Sequence, residues 1–444
     1  MNKSISFKNI NKLAIPALIA GIAEPILSIT DTAIIGHIDI NATESLAAVG
    51  IVGAFISMLI WVFGQVRSAI SSIISQYVGA NKLDEIKELP AQAIAMIVAS
   101  SLLVLALSYP FSRQIFQFYN ASDQILDYCI AYFNIRIFGF PFALFVFAVF
   151  GTFRGLQNTF YPMIIAIIGA SLNIVLDFIL VYGIEGYIPA MHVEGAAYAS
   201  VIAQVVMAII SLVLLLKKTA ISLRLSFTLH AEVPRLLNMI GNLFIRTIAL
   251  NVALYLATSY ATDYGKEYIA AYTISINIWL LGAFMIDGYS SAGNILSGKL
   301  LGAKEYKSLV ILSNKLFKYG IVIGTIIAVL GAVFYNAIGR IFTNETLVLE
   351  QFYTVFWIVL ITQPINAITF IFDGMFKGMG EMKYLRNLLI LATGLVFVPT
   401  LLIFDYLNYK LIAIWLAFTC WIIARGLPLV FKFRKKFIPL AENQ

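Results

Sequence analysis

Residues 151–158, GTFRGLQN, and residues 374–381, GMFKGMGE, carry one pattern of glycine, aromatic and basic positions, 223 residues apart. The same displacement carries Gly79-Ala80 onto Gly302-Ala303, Ala47-Ala48 onto Ala270-Ala271 and Pro141 onto Pro364. It also aligns ESLAAVG from Glu44 with EYIAAYT from Glu267 without a gap. A register held from Glu44 to Asn158 marks an internal repeat, so the chain reads as two copies of one structural unit.

Composition says what the unit contains. Of 444 residues, 61% are hydrophobic and 12% charged, whereas about a quarter of an average soluble domain is charged. A membrane-crossing helix needs roughly 20 consecutive apolar residues. About 12 such runs fill the chain, near 13–36, 46–76, 90–111, 125–150, 160–183, 193–216, 236–262, 268–297, 310–335, 347–376, 384–404 and 410–431. Each copy of the repeat holds six runs, an even number, so both copies enter the bilayer from the same side. The expected fold is an all-α polytopic membrane protein: 12 transmembrane helices in two parallel six-helix repeats, related by a pseudo-two-fold axis along the membrane normal. The sequence divides into an N-terminal lobe at 1–217, a cytoplasmic linker at 218–232 and a C-terminal lobe at 233–444. Two such lobes suit a transporter that alternates access to a site between or within them. Two complete lobes in one chain need no second copy, so a monomer is expected.

The formal charge of +7 invites an acidic partner such as nucleic acid, but the positions of the bases argue otherwise. The N-terminal segment, the even-numbered connections with the adjoining run ends and the tail hold about 22 of the 30 Lys and Arg residues; the odd-numbered connections hold Arg113, Lys266, Arg340 and Lys410. The positive-inside rule then places both termini in the cytoplasm, in a multi-pass protein of the cell membrane whose surroundings are lipid and not nucleic acid. The tail FKFRKKF, residues 431–437, reads as a stop at the cytoplasmic face. The run from Leu13 is too long for a signal-peptide core and is expected to stay as an anchor. Cys129 and Cys420 fall inside runs and far from any Cys-x-x-Cys pattern, which points to buried small residues, not a metal or a disulfide.

Acids at bilayer depth are expensive and mark function by default. Here they are Glu24, Asp31, Asp177, Asp287 and Asp373. The repeat displacement sends the first three to Thr247, Leu254 and Thr400, so ionic chemistry is expected to be concentrated in the first lobe. Glu24 and Asp31 are two helical turns apart and share a face; Asn173 and Asp177 share one at i and i+4. Carboxylates, an amide and a hydroxyl offer hard oxygen ligands for a small monovalent cation, and close desolvated carboxylates would equally hold a proton as a coupled pair. Residue chemistry leaves Na+ and H+ both open as the coupling ion, with no resident cofactor. Arg67, Arg136 and Arg246 are intramembrane bases that either pair with the acids or snorkel. Asp287, beside Gly288, is a candidate for lining a cavity in the second lobe, and Glu24 for lining one in the first. Asp373 and Lys377 form an i,i+4 pair near a cytoplasmic end. Pro16 and Pro25 interrupt the first run and are candidates for bending or unwinding it.

These residues resemble the multidrug and toxic compound extrusion (MATE) family, in particular its DinF-like branch. The resemblance lies in ITDTAIIGH after LAIP, YVGANKLDE closing the second run, FRGLQNTFYPM before the fifth, NIVLD within it, VEGAAYASVIAQ opening the sixth and MIDGYSSAGNILSGKLLGA in the eighth. It implies a twelve-helix efflux protein that exports organic cations or amphipathic drugs in exchange for Na+ or H+. It implies a coupling site at Asp31, at the Asn173/Asp177 pair and at Ser200, where many relatives have Thr, with Pro16 as the bending proline. Three positions depart from the family pattern: Glu24 in place of a neutral polar residue, Asn158 in place of the usual Asp, and Asn294 where Glu is frequent. Two other functions fit a polytopic membrane protein. A flippase for a lipid-linked or lipid-like substrate would share the architecture, but it calls for a cationic cavity and often extra helices. A membrane-embedded enzyme would need catalytic groups at depth, whereas His37, His192 and His230 fall at run ends or in loops.

Overall fold

A computed structural model describes residues 5–38, 41–224 and 228–444, with the side chains of 24–29, 32 and 42 outside the description. The first half runs α1 (Phe7–Ile35), α2 (Ala42–Phe63), α3 (Val66–Gly79), α4 (Leu89–Ser108), α5 (Ser112–Phe118), α6 (Asp123–Arg136), α7 (Phe140–Gly155), α8 (Phe160–Tyr182) and α9 (His192–Lys218). The second runs α10 (Val233–Asp263), α11 (Lys266–Gly302), α12 (Tyr306–Val333), α13 (Tyr335–Phe342), α14 (Thr346–Ile361), α15 (Gln363–Gly378), α16 (Met382–Ala392), α17 (Val398–Tyr406) and α18 (Leu411–Glu442). Ten segments among the described residues are long and apolar enough to cross a bilayer, and α14 with α15, bent by 51°, makes an eleventh. With α1 these correspond one to one with the runs read from the sequence.

Proline chemistry explains where the long segments break. A proline inside a helix removes a hydrogen bond and its ring presses on the carbonyl four residues back, so the chain kinks before it. Pro141 follows the 3₁₀ turn Ile137–Gly139 between α6 and α7. Its repeat mate Pro364 follows the bend between α14 and α15. Pro399 sits just after a π-turn, Thr393–Phe397, that separates α16 from α17. In α1, by contrast, the backbone stays helical through Pro16 and Pro25 without unwinding; the Pro25 side chain lies outside the described residues.

The two copies of the repeat are packed by the same contacts. In the first, Gly151 lies against the Arg67 carbonyl and Gly155 against Ile74 and the Ser71 carbonyl, joining α7 to α3. In the second, Gly374 lies against the Ser290 carbonyl and Gly378 against the Asn294 carbonyl and Ser297, joining α15 to α11. Each pair is the other displaced by 223 residues. A Cβ would collide with backbone at Gly151, Gly374 and Gly378 and with the Ile74 side chain at Gly155, which is the physical reason for the GTFRG and GMFKG patterns.

Backbone contacts divide the chain into two compact units: one of Met1–Leu18, Ser75–Asn81 and Asn238–Gln444, the other of Ile19–Ile74 and Lys82–Leu237. This differs from a division at the linker, because the start of α1 is packed with the C-terminal helices. Ile10, Leu13 and Ala14 are buried in one core with Ile286, Leu316 and Phe433. Tyr289 donates to Asn11 Oδ1 at 2.9 Å, and Lys315 Nζ donates to the Ile5 carbonyl at 2.8 Å. The basic tail also differs from a simple stop. It continues α18 as helix, with Leu429, Phe433, Phe437 and Ala441 buried at four-residue spacing.

Candidate functional site

The site in the second unit is built by α1, α8 and α9. Asp31, Asn173, Asp177 and Ser200 are all buried, Asp177 fully so. Close packing of α8 on α9 makes this possible: Gly195 lies against the Leu180 carbonyl and Gly169 against Met207. Tyr182, at the end of α8, donates to the Ile34 carbonyl at 2.9 Å and fixes α1 alongside.

Ser200 Oγ donates to Asp31 Oδ2 at 3.5 Å. Asn173 stands between them: in the orientation that satisfies its amide, Nδ2 donates to Asp31 Oδ1 at 3.2 Å and the amide oxygen accepts from the Ser200 backbone N–H at 3.3 Å. The Asp31 and Asp177 carboxyl groups lie within hydrogen-bonding reach of each other. Two carboxyl groups so placed need a proton or a cation between them. Asp177 Oδ1 has no hydrogen-bond partner among the described residues. Asp31, Asp177, Asn173 and Ser200 together are an all-oxygen donor set, suited to a hard cation. Among the described residues no three His, Cys, Asp or Glu side chains group to hold a metal ion.

Three residues beside this cluster escaped the sequence reading or were left open by it. Arg136 Nη1 donates to Gln204 Oε1 at 3.0 Å, and Arg136 also hydrogen-bonds the buried Tyr132. Arg136 is therefore near the acids without closing an ion pair on them. The signal was in the spacing: Tyr132 to Arg136 and Ser200 to Gln204 are both i,i+4 pairs.

The remaining candidates separate. Glu24 lies in α1, but its side chain is outside the described residues. Asp287 lies half-buried in the other unit, where Lys377 is its electrostatic neighbour. Arg246 Nη2 pairs with Asp373 Oδ1 at 2.6 Å, and Lys377 Nζ pairs with Asp373 Oδ2 at 3.0 Å. The expected i,i+4 pair is thus part of a larger buried group. Arg67 stacks its guanidinium on Phe147, 5.4 Å from the ring centre. Asn158 accepts from the Phe160 and Tyr161 backbone N–H groups at 3.0 and 3.3 Å, satisfying free donors at the start of α8. Asn and Asp are about equal in that role, so this departure from the family pattern is structurally neutral.

A repeated scaffold of membrane-spanning helices around a buried carboxylate, amide and hydroxyl cluster is that of a membrane transporter, not an enzyme. The MatE family profile matches residues 16–179 and 242–402, one block in each repeat. The chain belongs to the MatE family, on its DinF-like branch. It is 26% identical over 430 residues to the DNA damage-inducible protein F of Escherichia coli (strain K12), covering 95% of this chain and 91% of that one. It is 27% identical over 404 residues to the probable multidrug resistance protein NorM of Pasteurella multocida (strain Pm70), covering 89% and 85%. Among solved structures, a MATE protein in a bent conformation superposes with a TM-score of 0.90 at 20% identity, covering 98% of this chain and 96% of that one. The Vibrio cholerae MATE transporter VcmN in its bent form gives 0.89 at 18% identity, covering 98% and 97%.

Proposed function

We propose that the protein is a secondary active multidrug antiporter that exports organic cations or amphipathic compounds and is driven by inward movement of H+ or Na+. The observation that carries this reading is the buried pair Asp31 and Asp177, with Asn173 and Ser200 hydrogen-bonded at Asp31 and with Asp177 Oδ1 without a hydrogen-bond partner among the described residues. A cation or proton entering the cluster removes the repulsion within the pair, and its release restores it. Coupling follows if substrate binding and ion binding favour opposite facing states, as alternating access requires. Each unit charge that moves inward contributes about 2.3 kcal/mol per 100 mV of membrane potential. The distribution of bases supports a cell-membrane orientation with both termini in the cytoplasm.

The test is efflux of a fluorescent organic cation from liposomes holding the purified protein. One run imposes a Na+ gradient at fixed pH, and a second imposes a pH gradient without Na+. Efflux under one gradient identifies the coupling ion. Efflux that ignores both gradients would defeat the antiport reading.

A further inference from the structure

The C-terminal unit buries more positive charge than it neutralises. Arg246 on α10, Lys377 on α15 and Arg425 on α18 surround one directly paired carboxylate, Asp373. Asp287 is a further electrostatic neighbour of Lys377, and even with it the cations outnumber the anions. Arg425 is 3% exposed and, among the described residues, neither Nη1 nor Nη2 has a hydrogen-bond partner. Its guanidinium carbon lies 4.4 Å from the Trp421 ring centre and 5.8 Å from that of Phe370. Its two terminal nitrogens are left over, and such a pair matches a carboxylate or phosphate by two parallel hydrogen bonds. A buried guanidinium without an acceptor is costly, and it is unlike Arg246 and Lys377, which are both paired with Asp373.

Polar side chains continue the stripe on both neighbouring helices. Among the described residues, Asn366, one heptad before Asp373 on α15, has neither amide atom hydrogen-bonded, and Asn242, one turn before Arg246 on α10, has an unpartnered Oδ1. Thr369 Oγ1 donates to the Ile422 carbonyl at 3.3 Å and lies against Gly426, which holds α18 close enough to bring Arg425 to this face of α15.

We propose that the Arg246, Lys377 and Arg425 group binds the anionic head of an amphipathic substrate, a carboxylate or phosphate ester, with the Arg425 terminal nitrogens as its anchor and the Trp421 and Phe370 rings beside it. The proposal rests on the export reading and extends its substrate class from cations to amphiphiles that carry a negative charge. In this arrangement the two units divide the chemistry: acids that take the coupling ion in one, bases that take the substrate's anion in the other.

The experiment measures equilibrium binding of dansyl-aminoundecanoic acid and of its uncharged methyl ester to the full chain in nanodiscs of phosphatidylcholine. Wild type should bind the acid at least about tenfold tighter than the ester, the size of one charge-assisted hydrogen bond. Arg425→Gln should bring the two affinities within about twofold of each other, and Arg425→Lys should retain part of the preference. If Arg425→Gln does not fold, Lys377→Gln, which leaves the Arg246–Asp373 pair intact, should reduce the preference instead. Equal affinities in wild type, or a full preference kept by Arg425→Gln, would overturn the proposal. Replacing part of the lipid with phosphatidylglycerol should weaken acid binding if a lipid head competes for the site; inorganic phosphate should weaken it if a soluble anion does; an effect of neither leaves the carboxylate amphiphile as the ligand. Asp31→Asn separates the two readings, because it should abolish gradient-driven export and keep the acid preference. Gradient-driven export in a wild type without acid preference would remove the anion site and leave the transport reading standing.

Discussion

Single residues in this protein are sorted by what would be left unpaired without them. Asp373 answers two cations directly, so Asp373→Asn strands buried positive charge and should cost about 3–5 kcal/mol, read as a lower thermal midpoint of the purified protein in detergent. Ser200 gives Asp31 one hydrogen bond at 3.5 Å. Ser200→Ala should therefore weaken coupling-ion affinity by only a few-fold, the value of about 0.5–1.5 kcal/mol, while leaving export driven by a steep gradient in place. An ion titration of transport rate checks this, and complete loss would show that Ser200 is an essential ligand. The Asp31, Asn173, Asp177 and Ser200 set was legible because intramembrane acids are rare and helical spacing fixes which neighbours share their face. Arg425 was not legible. Near the end of a span an arginine reads as an interfacial anchor, and only the packing of α15 on α18 shows that its head is turned inward and left without an acceptor.

At the scale of elements, the glycines of the repeat are contacts between helices. Gly151 and Gly374 hold equivalent places against the Arg67 and Ser290 carbonyls. Alanine at either should force α7 from α3, or α15 from α11, and should cost about 1–3 kcal/mol, as overpacking a close interface does. Equal losses of thermal stability for the two variants are expected, whereas a neutral result at one would mean that the copies are packed differently. The helical tail offers a second test. Glu381, between α15 and α16, lies 2.8 Å from Lys436 and 3.4 Å from Lys432. Burial opposes its ionisation, but the hydrogen bonds and charges of the two lysines outweigh that and hold its carboxyl below the ordinary value of 4.5. A carboxyl lowered on folding stabilises fully above its unfolded value and loses that contribution as pH falls through the folded one. Acidification below pH 4.5 should therefore lower the melting temperature of wild type more than that of Glu381→Gln, and parallel melting curves would show that the tail contact carries no stability. The breaks at Pro141 and Pro364 could be read in advance from proline chemistry. The extension of α18 through residues 431–437 could not, because a cluster of Lys and Arg hides the four-residue spacing of Leu429, Phe433 and Phe437.

For the whole molecule, the repeat was the most informative feature of the sequence. Combined with the count of apolar runs, its constant displacement gave six spans per copy, the parallel relation of the copies and the asymmetry of the acids, since duplication keeps scaffold glycines and prolines while individual site residues diverge. The allocation of the first part of α1 to the C-terminal unit was not legible, because it depends on contacts between Ile10, Leu13 and Ala14 and helices from 272 to 423 residues away in the chain, and no local pattern records them. The central claim is that the buried carboxyl pair couples export to an inward ion gradient. The most direct measurement is gradient-driven efflux of a fluorescent organic cation from liposomes holding equal amounts of wild type, Asp31→Asn and Asp177→Asn. Export is expected in wild type and is expected to vanish in both variants while reconstitution and monodispersity are unchanged; gradient-driven export at the wild-type rate by Asp31→Asn would contradict the claim.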